Sequence, residues 1–298
     1  MFPMATFMLA LVAADVPSPG QLLAALESNY SAVTSVAATV HVENLQPTGA
    51  MRTFTVNWYV KGDKVKFTGT CSSGAANSVE FAFNGFHSKE IIGEAVGRIS
   101  TRDRSSLQPM YIYSDPLFLP YKAVTGGVRH ASFRPAFDAG AVNMTVNGEE
   151  QVGPYSCVVL EATSKRSGRT FAKWWLDPGV DYQPRKIWTE DLRNTVQDIE
   201  YIRIASVWMP VSGRVVYAPN PQTGVASYWA VTIDPASLQV NGDIDESVFD
   251  VTFPPDMKVY DEIAGQWGVV ATSYDDFLAR EALALRKTLD KDPHITRF

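Results

Sequence analysis

Residues 52–60 form a segment in which two sets of side chains alternate from Thr53 onward. One parity consists of Phe54, Val56, Trp58 and Val60. The opposite parity consists of Thr53, Thr55, Asn57 and Tyr59. Successive side chains of a strand point to opposite faces, so the pattern predicts a strand with one buried face and one face toward solvent. The two-residue period begins at Ser35, and we expect β structure from there onward.

Further alternating segments follow and are separated by turn signals. Lys61-Gly62-Asp63-Lys64 predicts a tight turn into a strand over residues 65–68. Asn84-Gly85, a strong turn dipeptide, joins a strand at 79–83 to one at 87–92. Strand patterns resume at 142–151, 156–163, 169–176, 185–189, 195–206, 211–217 and 225–233. Their short and fairly even spacing favours one antiparallel sheet over βαβ units.

Amphipathic helices are predicted near the two ends of the chain. Apolar residues recur at helical spacing within residues 21–33 and again within 274–289. Between them, residues 103–138 contain four prolines among large apolar side chains. Because proline at this density excludes a long helix or a central strand, we expect a covering loop or short helical turns there.

The chain of 298 residues admits either one large β domain or two smaller ones. Since it contains no internal repeat and no clear linker, we expect a single domain over residues 15–298. Hydrophobic residues make up 46% and charged residues 19%, which is a globular composition. The net charge is −6 and the basic residues are spread thinly, which argues against a nucleic-acid partner.

Residues 1–14 are predicted to be a secretory signal segment. An apolar run from Phe2 ends in the small residues Val12-Ala13-Ala14, so the mature chain is expected to begin at Asp15. The run is too short to span a bilayer as a helix, and no transmembrane span is expected. It lacks a preceding Lys or Arg, which leaves a mis-assigned start or a buried N-terminal segment as alternatives.

The two cysteines, Cys71 and Cys157, allow one disulfide in an oxidising compartment. Two unpaired thiols at buried strand positions are the alternative.

No motif with catalytic or metal-binding spacing is found in the sequence. The four histidines are far apart, and no Gly-x-Ser-x-Gly elbow is present. Residues 243–246 look like an acidic calcium loop but lack its Gly and its final Glu, so a polar turn before a strand at Phe249 is expected. Residues 69–74 lack the Lys-Ser/Thr of a phosphate loop and are expected to form a turn. We therefore expect no catalytic residue, no metal and no cofactor.

Short motifs resemble those of the lipoprotein-carrier (LolA-like) superfamily. They are Trp174-Trp175-Leu176-Asp177-Pro178, then Pro184-Arg185-Lys186, and near the end Phe253-Pro254-Pro255. A helix that runs into a strand meander precedes them. The resemblance implies a mainly β (α+β) fold: a strongly curved antiparallel sheet, or incomplete barrel, whose helices cover an apolar concavity that accepts lipid chains.

On this basis we expect an exported, non-catalytic protein of the periplasm or cell envelope. Its partner would be an apolar small molecule or a lipoprotein acyl chain, bound by aromatic side chains of the sheet. The expected lining residues are Phe54, Trp58, Phe67, Phe81, Phe83 and Trp229. Ordinary core packing of the seven tryptophans is the alternative. Two further functions stay open, namely an envelope protein-interaction or sensor domain on the same fold and a β-rich glycan-active enzyme.

Overall fold

The computed structural model describes residues 16–71, 79–93, 96–100, 137–190 and 194–270. Its elements are α1 (Pro19–Ser31), β1 (Ser35–Leu45), β2 (Met51–Lys61), β3 (Lys64–Cys71), β4 (Val79–Phe83), β5 (Ser88–Ile92), β6 (Val96–Ser100), β7 (Val142–Val152), β8 (Tyr155–Ser164), β9 (Thr170–Asp177), β10 (Gln183–Thr189), β11 (Asn194–Ile204), β12 (Val207–Tyr217), β13 (Tyr228–Ile233), β14 (Gln239–Val240), β15 (Lys258–Asp261) and β16 (Gln266–Val269). The signal segment 1–14, the helix predicted at 274–289 and nearly all of the proline-rich segment 103–138 lie outside the described residues.

The described strands form one large curved sheet. Their order is β16-β15-β6-β5-β4-β3-β2-β1-β13-β12-β11-β10-β9-β8-β7, and β14 pairs with β1 beside β13. Neighbours are antiparallel except β6 and β15, which run parallel. The two end strands, β16 and β7, are not paired with each other, so the sheet is an incomplete barrel. The predicted mainly β fold with a curved antiparallel sheet is therefore confirmed.

Strand parity sorts the side chains onto two faces. We call the face that carries Trp58 the inner face and the opposite one the outer face. Val56, Trp58 and Val60 are buried on the inner face, whereas Thr55 and Asn57 are exposed. The main hydrophobic cluster is built on this face, with members from β1 to β4 and from β7 to β13. The alternation in the sequence thus predicts the orientation of β2 correctly.

Helix α1 packs its apolar side against the main cluster. Ser18 caps the helix, and the side chain of Gln21 reaches back to the Ser18 backbone in a capping box. Leu22, Leu23 and Leu26 are buried. At the far end, the Asn29 amide both donates to the Trp208 carbonyl and accepts from its N–H, each across 2.9 Å. These two bonds fix the helix to the start of β12. Among the described helices, none is both long enough and apolar enough to cross a membrane.

Two prolines lie inside strands that have neighbours on both sides. Pro184 in β10 and Pro210 in β12 each lie at a shift of the strand register. A β-bulge is where a strand tolerates the missing N–H of proline, and both positions meet this condition. The strand predicted at 195–206 ends earlier, because Ala205 has a φ of 53° and turns the chain into β12.

Residues 241–257, which we call the strap, cross the outer face of β2 to β5. Phe249 and Val251 are buried at the centre of the strap. Lysines of the sheet hold it: Lys61 donates to the Ile244 carbonyl at 2.7 Å and Lys66 to the Asp250 carbonyl at 2.9 Å. The strand predicted at Phe249 is wrong, since residues 246–249 form a 3-10 turn capped by Asp245. The turn predicted at 69–74 is also wrong in part, because β3 continues to Cys71.

The strap continues into β15, which returns alongside β6. Gly97 of β6 allows this approach, since a Cβ there would lie 2.7 Å from the Phe253 ring and 2.9 Å from a Val259 methyl. Neither β6 nor the β15–β16 hairpin is predicted from the sequence.

Candidate functional site

The structure brings the six predicted lining residues into one region of the inner face. Trp58, Phe67, Phe81 and Phe83 are buried members of the main cluster. Phe54 and Trp229 are half-buried and pack against it. The structure therefore gathers the six predicted side chains, and whether they bind a ligand stays a prediction.

Three aromatic side chains form a row across neighbouring strands. Trp58 of β2 lies opposite Phe67 of β3, and Phe67 lies opposite Phe81 of β4. The ring centroids are 6.5 Å apart for the first pair and 6.3 Å for the second. Directly opposed side chains on neighbouring strands are the pairs that stabilise a sheet, so this row is both a core element and a continuous apolar surface.

A stacked aromatic pair lies where this surface becomes accessible to solvent. Phe54 and Trp229 have ring centroids 6.2 Å apart and nearly parallel planes, at 19°. Phe54 lies four residues before Trp58 on the same strand and face. We call this pair the rim and the Trp58–Phe67–Phe81 row the floor. The apolar inner face thus continues from a buried floor to a half-exposed rim.

The floor ends at a polar boundary on β5 and β6. Glu90 lies opposite Phe81 and is buried, with Arg98 on the next strand 3.6 Å away. Arg98 also lies 3.5 Å from Glu262, just after β15. Beside them the hydroxyls of Ser88 and Ser100, both buried, are 2.7 Å apart. This boundary is not predicted from the sequence, since β5 and β6 carry polar residues on their inner face and show no apolar alternation.

Cys157 lies in a second, smaller cluster on the outer face. It is a free thiol, fully buried with Val159 and Trp175. The Cys71 side chain lies outside the described residues, so the disulfide that the sequence allows stays a prediction. Burial raises the pKa of the Cys157 thiol to about 11, with a further contribution from the negative charge of Asp177. Such a thiol is not suited to act as a nucleophile near neutral pH.

The Trp-Trp-Leu-Asp-Pro and Pro-Arg-Lys motifs meet in a buried ionic network. Arg185 Nε donates to Asp177 Oδ2 across 2.9 Å, and Arg185 Nη1 donates to Glu200 Oε2 across 2.8 Å. The guanidinium also lies over the Tyr155 ring, 3.7 Å from its centroid. Tyr155 in turn donates to Glu200 across 2.8 Å, a bond that raises the pKa of its phenol. These contacts give the motifs a structural role in joining β8 to β11.

The β15–β16 hairpin, at the end of the sheet next to β6, carries exposed apolar residues. Tyr260 and Trp267 face each other with centroids 5.1 Å apart, and Trp267 is 63% exposed. A cavity of about 670 Å³ beside them is lined by Lys258, Trp267, Gly268 and Val269. A four-residue strand of mixed polarity gives no sequence signal that could identify this surface.

Within the described ranges, no three His, Cys, Asp or Glu side chains are close enough to hold a metal ion together.

No protein-family model and no curated protein matches the chain. Among solved structures, the chain is similar to a DUF1329 family protein from Desulfovibrio piger, at 13% identity and a TM-score of 0.46, with 77% of this chain and 94% of that chain covered. It is also similar to lipoprotein LppX from Mycobacterium tuberculosis, at 10% identity and a TM-score of 0.28, covering 76% and 99%. A LolA superfamily protein from Nitrosomonas europaea is a third similar structure, at 14% identity and a TM-score of 0.45, covering 79% and 99%, and it comes from the superfamily that the strand motifs resemble.

Proposed function

We propose that this protein is an exported, non-catalytic binding protein for an apolar ligand, either a lipid or the acyl chain of a lipoprotein, and that it acts in the periplasm or cell envelope. The observation that carries the proposal is the continuity of the apolar inner face from the Phe54–Trp229 rim to the Trp58–Phe67–Phe81 floor.

The energetics of this face suit an apolar chain. Each Å² of apolar surface removed from water contributes about 25 cal/mol, so contiguous aromatic walls bind a hydrocarbon without a set of polar contacts. The rim offers half-exposed rings at which such a chain can begin to lose water. The polar boundary at Glu90 and Arg98 limits the apolar surface on the side of β5. This geometry supports a ligand with a hydrocarbon portion that lies along β1 to β4.

The direct test is native mass spectrometry of the purified protein, with lipid extraction to identify what is bound. Uptake of an apolar fluorophore then compares two variants on β2. Phe54→Ser places a polar side chain at the rim, whereas Tyr59→Ser changes a half-buried aromatic on the outer face of the same strand. We expect Phe54→Ser to weaken uptake and Tyr59→Ser to leave it unchanged. Absence of uptake by the wild-type protein, together with absence of extractable lipid, would contradict the proposal.

Export is supported by the small residues that end the apolar run at Val12-Ala13-Ala14. N-terminal sequencing of the protein recovered from an envelope fraction should give Asp15 as the first residue. An intact Met1 on protein found in the cytoplasm would contradict both the cleavage and the location.

A second candidate function, an envelope protein-interaction or sensor domain, is favoured by the β15–β16 hairpin. Trp267 and Ile263 are exposed there, at 63% and 58%, and Trp267 lines the 670 Å³ cavity. Exposed aromatic residues at a sheet edge are typical of protein contact sites. A photo-crosslinking residue at position 267 should form a discrete protein adduct in cells, and one at the exposed outer-face position 57 should not. Equal labelling from both positions would count against this function.

A further inference from the structure

The indole N–H of Trp58 is buried without a hydrogen-bond acceptor in the part of the chain that the structure describes. The side chain is fully buried on the floor of the inner face. Its cross-strand neighbours are Ala38 and Phe67, whose side chains contain no acceptor. Its neighbours of the same parity on β2, Val56 and Val60, contain none either. Buried donors without an acceptor are rare in native proteins, and each requires an explanation.

Two other tryptophans, Trp175 and Trp208, do have acceptors. Trp175 Nε1 donates to Glu150 Oε2 across 2.7 Å, and Trp208 Nε1 donates to Asp181 Oδ2 across 2.8 Å. Both lie where a carboxylate can reach the indole. Trp58 differs because the side chains of its cross-strand and same-parity neighbours contain carbon alone. The Trp58 N–H is therefore a donor set into an apolar wall.

We propose that Trp58 determines the specificity of the binding face, its indole N–H donating a hydrogen bond to an uncharged carbonyl oxygen of an otherwise apolar ligand. This inference rests on the proposed function and narrows its ligand to an ester or amide with alkyl groups on both sides of the carbonyl.

The surroundings favour an uncharged acceptor over a carboxylate. In the row that contains Trp58, Arg98 lies four strands away and already contacts Glu90. The Phe54 rim is four residues from Trp58, which is about 13 Å along an extended strand. A carboxylate at Trp58 would thus be removed from water without a counter-charge, which is strongly unfavourable. An ester carbonyl loses little hydration by comparison and gains the indole donor.

The test compares matched ligands by their displacement of an apolar fluorophore. Methyl hexadecanoate and hexadecyl methyl ether, delivered from cyclodextrin, have nearly the same size and differ in the carbonyl. Wild-type protein should bind the ester about tenfold more tightly than the ether, the size expected when a buried donor gains its acceptor. Trp58→Phe keeps an aromatic ring but removes the donor, so this variant should bind the ester and the ether with about equal affinity. Trp175→Phe removes a donor on the outer face, and the preference should persist.

Hexadecanoate is included as the charged alternative source of a carbonyl oxygen. Tighter binding of hexadecanoate than of the methyl ester would overturn the assignment of an uncharged ligand. Equal binding of ester and ether by the wild-type protein would overturn the role of Trp58 while leaving the proposed function intact. Failure of every probe to bind would overturn both.

A second measurement does not depend on the folding of the variant. In wild-type protein labelled with ¹⁵N at tryptophan, the Trp58 indole proton should shift downfield when the ester is added and not when the ether is added. The signal is assigned by elimination with the other tryptophans. A Trp58 indole signal that responds identically to both ligands would contradict the hydrogen bond.

Discussion

Arg185 Nε donates to Asp177 Oδ2 across 2.9 Å, and less than a tenth of either side chain is exposed. The two residues are brought together by the register shift at Pro184 in β10, which directs Arg185 back toward the end of β9. The pair lies beneath Tyr155 and beside Tyr201, so it is largely removed from water. Removing one partner of a buried ion pair leaves the other charge uncompensated, which is far more costly than losing an exposed pair.

Asp177→Asn is therefore expected to lower the free energy of unfolding by about 3 kcal/mol. The matched variant is Glu200→Gln, which removes the other carboxylate on Arg185. Half of the Glu200 side chain is exposed, so water replaces part of the lost interaction and we expect a loss below about 1 kcal/mol. Urea denaturation measures both values. Similar losses for the two variants would show that Asp177 is not the residue that neutralises Arg185.

The burial of Cys157 predicts a thiol that does not react in the folded protein. Its pKa is raised to about 11, mainly by burial, so the thiolate is scarce at pH 8. In a Cys71→Ser background, iodoacetamide should modify Cys157 only when urea unfolds the protein. The unfolded chain is the control, because its thiol has a pKa near the usual value of about 8.5 and reacts freely. Modification within minutes at pH 8 without urea would mean that the outer-face cluster opens locally.

The strap is held by an ion pair between Glu246, which is protonated in acid, and Lys61, which loses its proton in alkali. Hydrogen bonds from Lys64 and Lys61 lower the pKa of Glu246. A lowered carboxyl pKa contributes stability above its usual value of about 4.3, and this contribution is lost as the pH falls through the lowered pKa. The hydrogen bond to Glu246 raises the pKa of Lys61 from 10.5. That contribution is present below pH 10.5 and is lost as the pH rises through the raised pKa.

We therefore expect the strap to be protected most between about pH 4.3 and pH 10.5. Hydrogen exchange of the Val248 amide, which donates to the Asp245 carbonyl, reports this as a protection factor. The Tyr182 amide, which donates to the Asp177 carbonyl, is the control outside the strap. Glu246→Gln should reduce Val248 protection at pH 7 and weaken its acid dependence, and the carboxylates of Asp245 and Asp250, whose pKa values are also lowered, should account for the dependence that remains. Identical acid profiles for wild type and variant would contradict the role of Glu246.

Sequence patterns locate β2 and its inner parity because strand parity is a local property. Trp58 faces inward as its alternation predicts, and the Asn84-Gly85 turn joins β4 to β5. The same reasoning fails at β6. There the inner parity mixes Val96 with the polar Arg98 and Ser100, and the outer parity combines Ile99 with a glycine covered by the strap. No apolar parity remains in β6 to be recognised.

The position of the strap and of β15 depends on contacts between residues far apart in the sequence. Lys89 meets Asp250 at 2.7 Å, and Lys258 pairs with Val96 in the parallel ladder. Single-sequence patterns do not contain such pairings. The lack of an acceptor for the Trp58 N–H cannot be predicted from the sequence either, because it depends on which side chains of other strands surround the indole.

The close approach at Gly97 predicts a steric test of β15 placement. Gly97→Ala would put a Cβ within 3 Å of both the Phe253 ring and a Val259 methyl, so the strap must shift. Overpacking of this kind costs about 1–3 kcal/mol. Gly268→Ala on β16 is the matched control, because no heavy atom lies within 4 Å of its added Cβ. We expect lower stability and increased hydrogen exchange in β15 for the first variant and little change for the second.

Truncation at the rim and truncation at the floor of the inner face should differ in the ratio of lost ligand uptake to lost stability. Phe67 is almost fully buried between Trp58 and Phe81, so Phe67→Ala should cost about 3–5 kcal/mol of stability. Phe54 is half-buried and loses less contact, so Phe54→Ala should cost about half as much or less. If a hydrocarbon enters at the rim, Phe54→Ala should still weaken the uptake of an apolar fluorophore. The loss of uptake per kcal/mol of lost stability should then be larger for Phe54→Ala than for Phe67→Ala. Urea denaturation and fluorophore titration on the same samples separate the two effects. A strict proportionality between lost stability and lost uptake in both variants would mean that these aromatics serve the core alone, and the protein-interaction function at the β15–β16 hairpin would then be favoured.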